Sequence, residues 1–401
     1  MGVYSDYLNA GLDFNQLETE RKKQLKRIAE IRERDVLVYA ANVSVRQRAP
    51  IGIEYADLLP INDQLANLGG TALDLIIETG GGSGEVAEDI VKLLRGKHSD
   101  LAAIVPGMAK SAGTLIVMAA DDILMEPASA LGPIDAQIQW QGKVFSAEAL
   151  LEGLRAIQRE SAKVGQLNLA YLPILQQISP GEIQDAQNAL DFAQDLVTDW
   201  LTRFKFKNWL THGDESPVTD DERRARAEEI AQQLADHSRW LTHGRSIKID
   251  DLEAMKLLIT DYSKHPELMD AIRRYHTLLQ MLFDTNCYKV IETTNSQIYR
   301  FAAQPAQVQA FGMPLPIGGA GGPGPVPSAS PPGGVAVNLP CPNCGFMTQI
   351  QAKLRPDQPD NPNAIRWPKD DKLKCAQCSA EHNIGEARQA LEAQFGCPVV
   401  G

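Results

Sequence analysis

Residues 73–125 read LDLIIETGGGSGEVAEDIVKLLRGKHSDLAAIVPGMAKSAGTLIVMAADDILM. Three short apolar runs, Leu73 to Glu78, Leu101 to Val105 and Ile123 to Met125, fit buried strands. The stretches between them, from about Glu85 to Arg95 and from about Ser111 to Ala120, carry helical spacing. Strands alternating with helices at short intervals predict βαβ units on a mostly parallel sheet. Working outward, Val36 to Ala41 reads as one more buried strand, Asp57 to Leu68 as a helix, and residues 15–34 as a charged amphipathic helix. Downstream, residues 144–300 read as mainly helical, with segments near 147–163, 181–207 and 220–238. Residues 265–300 are expected to form a helical hairpin or one long helix, and Pro173 and Pro180-Gly181 punctuate the region.

The chain has 401 residues, which suggests two or three units, and 44 % hydrophobic residues allow a sizeable core. A net charge of -12 argues against non-specific DNA or RNA binding, which needs a basic footprint, and against anionic membrane surfaces. The first residues lack the apolar core of a signal peptide, and no stretch approaches the ~18 continuous apolar residues of a membrane helix. The cytoplasm is the expected compartment. Between Ala302 and Pro340 there is no charged residue, and Pro, Gly, Ala and Ser dominate, so a linker is expected there. The resulting division is an N-terminal helical segment (1–30), an α/β domain (31–300), a linker (301–340) and a small C-terminal module (341–401).

Two glycine-containing turns lie between strand and helix. Thr79-Gly80-Gly81-Gly82-Ser83 has no following Lys-Ser/Thr pair and no G-x-G-x-x-G, so it is not a phosphate loop of a familiar kind. Gly107-Met108-Ala109-Lys110-Ser111-Ala112-Gly113-Thr114 places a serine at a helix start among small residues, which let a substrate backbone approach. Backbone N–H groups of Ala112 and of Gly81 or Gly82 can then face one developing oxyanion. Taken alone, Ser111 reads more readily as a helix N-cap.

The run GGGSGEVAEDI followed by VPGMAKSAGTLIVMAADDILMEPASALGPIDAQI resembles the Clp-fold serine peptidases, and among them the serine dehydrogenase proteinase family, related to signal peptide peptidase and the NfeD-linked proteases. His243-Gly244-Arg245, Ala254 and Leu257-Leu258 resemble the family's stretch after its long helices, so the resemblance covers roughly residues 30–265. It implies a ClpP/crotonase-like spiral of βαβ units with a helical extension, Ser111 as nucleophile, oxyanion donors at Gly81 or Gly82 and Ala112, a peptide or protein substrate, and a homo-oligomer. The family label names a dehydrogenase, but no Rossmann fingerprint or pyridoxal site is present, and no organic cofactor is expected.

A serine needs a neighbouring base. The Clp protease carries its histidine in the region that reads Gly132-Pro133-Ile134-Asp135-Ala136-Gln137 here, and this region has no histidine. Relatives with a Ser-Lys dyad use a desolvated lysine. The candidates are Lys143 and Lys163. The position matching the NfeD-linked lysine by distance from Ser111 holds Glu152. His243 is the third candidate, Asp135 can pin the loop or orient substrate, and Lys110 is expected to point away. Alternatives to a peptidase are an inactive Clp-fold scaffold and a crotonase-type acyl-CoA enzyme.

Cys341-Pro-Asn-Cys344 and Cys375-Ala-Gln-Cys378 form two C-x-x-C pairs. Four thiolates in two such turns suit a structural zinc ribbon, and a module of this size needs such a staple. Cys287 and Cys397 are left as reduced thiols.

Overall fold

The computed structural model describes residues 2–44, 49–140, 143–302, 309–310, 334–344, 346–354, 365–395 and 398–400. They fall into two units, Met1–Arg300 and Phe301–Gly401.

Strands Asp35–Ala41, Ala72–Glu78, Asp100–Val105 and Asp122–Met125 are buried along nearly their whole length, which is why their sequences read as mostly apolar runs rather than alternating ones; Asp74, charged in mid-strand, is paired with Arg32 and Arg34. They lie side by side and parallel, with Asp35 opposite Leu73, Leu73 opposite Leu101 and Ala102 opposite Asp122. The short strand Thr260–Asp261 extends that edge in parallel. Helix Gly84–Lys97, capped by the Ser83 side chain, turns Val86, Ala87, Ile90, Val91 and Leu94 into the core. Helix Ala112–Met118 is buried at every position. Because the strands run parallel, the glycine turn and Ser111 both emerge at their C-terminal ends, where open α/β sheets place ligands.

The C-terminal part of this unit corrects the expectation of a helical hairpin or one long helix over 265–300. Helix Pro266–Phe283 stops there, and Cys287–Thr293 and Gln297–Phe301 are strands at the other sheet edge. Cys287–Thr293 runs antiparallel to Asp35–Ala41. Its Lys289 and Glu292 disguised it, because charged residues are rarely buried, yet both are enclosed. Glu292 is met by Arg21 at 3.2 Å, Lys22 at 3.0 Å and the Tyr275 hydroxyl at 2.8 Å. Burial pushes the Glu292 carboxyl up, but the two cations prevail and hold it below its ordinary value. Lys289 donates to Asp57 at 2.8 Å and to the Gly52 carbonyl at 2.9 Å.

These pairs also draw the N-terminal segment into the first unit. Helix Phe14–Arg32 starts from an Asp13/Gln16 capping box and buries Leu17, Arg21, Gln24, Leu25 and Ile28, one stripe at helical spacing. Residues 1–30 are therefore continuous with the α/β unit, not a separate piece.

Helices Ala147–Val164 and Pro180–Trp200 pack on each other around Ala147, Leu151, Ala186 and Leu190, a small core of their own. Asp220–Ala235 follows and packs on Pro180–Trp200. No helix among the described residues is long and apolar enough to cross a membrane.

In the second unit, strand Gly334–Pro340 pairs antiparallel with Met347–Lys353, so the sheet of this unit begins inside the stretch expected to be linker. Lys372–Lys374 pairs with Glu381–Asn383, and helix Gly385–Phe395 follows. Its core gathers Val337, Ile350, Trp367, Leu373 and Leu391.

Candidate active site

Ser111 is delivered by a tightly specified approach. Met108 N–H donates to the Glu78 carboxylate at 3.1 Å, Thr79 N–H to the Met108 carbonyl at 2.9 Å, and Lys110 N–H to the Thr79 carbonyl at 3.0 Å. The backbone then reaches Ser111 at φ 50, ψ -120, a left-handed conformation for a non-glycine residue. Such a residue costs about 1–3 kcal/mol, which the surrounding hydrogen bonds must over-determine. The Ser111 side chain makes no capping bond and has no hydrogen-bond partner among the described residues, so the N-cap reading falls. The residue is half-buried at the wall of a cavity of about 230 Å³.

The glycine turn forms the facing wall. Gly81 and Gly82 take φ 108 and φ 151. The turn is fastened to Ile53, whose N–H donates to the Gly81 carbonyl at 2.9 Å and whose carbonyl accepts from Ser83 N–H at 3.0 Å. A Cβ on Gly81 would lie 2.6 Å from the Ser111 Cβ. Glycine is therefore required both by conformation and by the close approach of the two turns. The Gly81 N–H is already given to Thr79 Oγ1 at 3.1 Å. Gly82 N–H and Ala112 N–H have no partner among the described residues, and both residues line the cavity with Ser111.

Asp135 stands in the same cavity wall and is buried. It receives His243 Nδ1 at 2.6 Å and His237 Nδ1 at 3.2 Å. Burial alone raises the Asp135 carboxyl, but hydrogen bonds and charge from His243, with help from His237 and Ser146, bring it below its ordinary value. An ionised carboxylate only accepts, so each Nδ1 presents a proton to it, and in the neutral ring that tautomer puts the lone pair on Nε2. The fold supplies both rings from beyond the helical extension. Ile134 N–H donates to the Leu234 carbonyl at 3.1 Å, and Leu131 pairs with Ile247, which brings residues 234–247 alongside residues 131–137. His237 escaped the sequence reading. Its only signal there is Asp236 as a cap for the short helix His237–Trp240.

The lysine candidates fare differently. Lys143 opens the strand Lys143–Ser146, but its side chain lies outside the described residues. Lys163 sits exposed in the last turn of helix Ala147–Val164; neither it nor His243 lines the Ser111 cavity, but His243 is bonded to Asp135, which does. Glu152 is exposed and paired with Arg159 at 2.5 Å. Lys110 turns from the cavity, as expected, and gives its ammonium to the 244–246 loop.

A second cavity of about 280 Å³ is walled by Ile138, Phe145, Leu150, Ile178 and Ala186, with Glu182 and Asp185 at its edge. Its Ile138 follows Gln137 of the Ser111 cavity on the strand Gln137–Trp140, and its Ala186 lies one turn before Ala189 of that cavity on helix Pro180–Trp200.

In the second unit the sulfurs of Cys341, Cys344, Cys375 and Cys378 all lie within 4.8 Å of one another, so the cluster can hold a metal ion. Cys341 and Cys378 are 3.6 Å apart, as are Cys344 and Cys375. A tetrahedron with Zn–S bonds of about 2.3 Å has edges of about 3.8 Å, so the donor set fits that ion. Each C-x-x-C turn is closed by a backbone bond, Cys341 N–H to Phe346 and Cys375 N–H to Ala380. Cys397 lies outside the described residues.

Among known proteins, the profile of the ClpP-like SDH-type serine proteinases matches residues 8–208. An uncharacterised protein of Methanocaldococcus jannaschii is 28 % identical over 245 residues, 59 % of this chain and 68 % of that one. Another from the same organism is 33 % identical over 156 residues, 37 % of this chain and only half the length of the relative. Two solved structures are more remote. A mutant of a membrane-bound stomatin-specific protease gives a TM-score of 0.32 at 12 % identity, covering 55 % of this chain and 79 % of its own. The ClpP protease catalytic domain from Plasmodium falciparum gives 0.22 at 13 %, covering 52 % and 85 %. Scores at this level add nothing to the family match.

Proposed function

Because the chain belongs to the ClpP-like SDH-type serine proteinases, we propose that it is a serine endopeptidase working through a Ser111–His243–Asp135 relay. One observation carries the choice of base: the buried Asp135 carboxylate, in the wall of the Ser111 cavity, holds His243 Nδ1 at 2.6 Å, the contact that in a neutral ring puts the lone pair on Nε2. Of the two histidines on Asp135, His243 has the shorter bond.

In the reaction, Ser111 Oγ attacks the scissile carbonyl carbon while its proton passes to His243 Nε2. The carbonyl π electrons move to oxygen, and the resulting oxyanion takes the Gly82 and Ala112 N–H groups, which need no reorganisation to receive it. Collapse of this adduct breaks the C–N bond, and the amine leaves with the proton from His243. Water then repeats the sequence on the acyl-enzyme, with His243 again taking and returning the proton. Asp135 stays ionised and stabilises the imidazolium. Gly81 contributes backbone shape rather than a donor, since its N–H serves Thr79.

The substrate is a peptide or unfolded polypeptide. The apolar cavity adjoining the Ser111 cavity suits a bulky apolar side chain near the scissile bond. The four-cysteine cluster would hold a structural zinc ion, whose chemistry is to cross-link a small unit. The exposed Leu169 and Ile174 on the helical extension support assembly as a homo-oligomer.

The test is labelling by a fluorophosphonate and turnover of a casein substrate by the full chain, its Ser111→Ala form and its His243→Ala form. Labelling confined to chains that keep Ser111, with turnover lost in both variants, is the expected result. Wild-type turnover by Ser111→Ala overturns the peptidase reading. Wild-type turnover by His243→Ala overturns the choice of base alone.

A further inference from the structure

Lys110 immediately precedes the nucleophile, yet its side chain leaves the cavity. Its Nζ donates to the Arg245 carbonyl at 2.7 Å, the Ser246 hydroxyl at 3.0 Å and the Gly244 carbonyl at 3.3 Å. All three ammonium protons are thereby spent on the segment that directly follows His243. We propose that Lys110 is a positioning residue that ties the turn delivering Ser111 to the loop delivering His243, so that nucleophile and base keep one relative placement. This inference rests on the assignment of His243 as base.

The path of the side chain is built for that purpose. A Cβ on Gly132 would lie 2.7 Å from the Lys110 Cδ and 3.2 Å from its Cα, so the glycine leaves the channel through which the lysine stem crosses. The loop has other anchors, the Leu131–Ile247 pairing on one side and the His243–Asp135 bond on the other. Lys110 fastens the span between them to the residue before Ser111. A base role for Lys110 itself is incompatible with this geometry, because a general base must turn a lone pair toward the serine, whereas Nζ faces groups that accept its protons.

The clamp depends on the charged form. Among the described residues no carboxylate pairs with Lys110, and the nearest charge acting on it is Lys248, whose own Nζ is held by the Ala128 and Ser129 carbonyls. Asp135, across the loop, is engaged by His243 and His237. Burial first, then repulsion from Lys248, lower the Lys110 ammonium to about 8. Above that pH the neutral amine keeps two protons for the Gly244 and Arg245 carbonyls while the Ser246 hydroxyl must turn to donate to it, so the clamp loses its charge-assisted bonds.

The experiment compares the wild-type full chain with Lys110→Arg, Lys110→Met and His243→Ala. It measures kcat and KM for a peptide substrate across the alkaline range, with thermal unfolding as the fold control. Wild type should lose kcat on an alkaline limb centred near 8. Lys110→Arg keeps three or more donors and a permanent charge, so it should retain kcat and lose that limb. Lys110→Met should lose about 10²-fold in kcat, the scale of an ångström misplacement, with KM little changed and the chain still folded. A Lys110→Met variant with wild-type kcat and pH profile overturns the clamp, provided His243→Ala is inactive. A Lys110→Arg variant as inactive as Lys110→Met also overturns it, because that pattern makes Lys110 a proton acceptor. An active His243→Ala instead sinks the assignment of the base, a separate failure.

Discussion

Replacing Gly81 by alanine is the sharpest perturbation of the proposed oxyanion site. The new Cβ would sit 2.6 Å from the Ser111 Cβ and 2.9 Å from the Lys110 carbonyl oxygen. Ordinary carbon–carbon contact is ~3.5–4.0 Å, so the two turns must part by about 1 Å. The backbone at φ 108 adds strain of about 1–3 kcal/mol, since only glycine takes that conformation freely. A domain with about 5–15 kcal/mol of stability survives such a cost. Catalysis does not: a displacement of that size costs about 10²-fold, and removing one oxyanion donor from reach costs about 10²–10³-fold in kcat. Gly80→Ala is the matched control, because among the described residues its Cβ would meet only Val43 Cγ1, at 3.9 Å, and its φ is not in the left-handed region. The assay is kcat on a peptide substrate with the unfolding midpoint of each variant. The reasoning fails if folded Gly81→Ala turns over within about threefold of wild type, a change far below the expected loss, or if Gly80→Ala loses as much.

Asp135→Asn keeps the shape of the site but cannot fix the proton on His243 Nδ1, and kcat should fall by as much as ~10⁴-fold without loss of the fold, measured by steady-state kinetics and near-UV circular dichroism. Because the Asp135 carboxyl is held below its ordinary value in the fold, the hydrogen bonds its ionised form accepts stabilise the native state above the unfolded carboxylate range, and that contribution drains away as pH falls through the lowered value. Wild type should therefore lose more stability than Asp135→Asn in acid, as urea titrations at several pH values would show. Cys375→Ser or a strong chelator should release one metal ion per chain and melt the second unit, while fluorophosphonate labelling of Ser111 persists, as measured by elemental analysis and limited proteolysis. Arg21→Met strands Glu292 in the core and should destabilise the first unit by about 3–5 kcal/mol in urea unfolding, whereas a change within ~1 kcal/mol would mean that Lys22 alone suffices.

The parallel strands around residues 35–41, 72–78, 100–105 and 122–125 were legible because burial on both faces makes their sequences mostly apolar, and so was the glycine turn next to Ser111. The cysteine cluster was legible for a similar reason, since thiol spacing in a C-x-x-C turn is local geometry. The strand Cys287–Thr293 was not. Its Lys289 and Glu292 look like surface charges until Asp57 and Arg21, each more than two hundred residues away, are seen to meet them. The contact that favours Gly82 over Gly81 as the proposed donor, the Thr79 hydroxyl on the Gly81 N–H, was likewise not legible. What local sequence determined was the candidate serine, its small neighbours and the two C-x-x-C turns, because each is set by residues adjacent in the chain. Only the tertiary structure brought His243 and His237 to Asp135 and turned Lys110 toward the His243 loop, because those pairings span more than a hundred residues and are made by packing, which no spacing rule encodes.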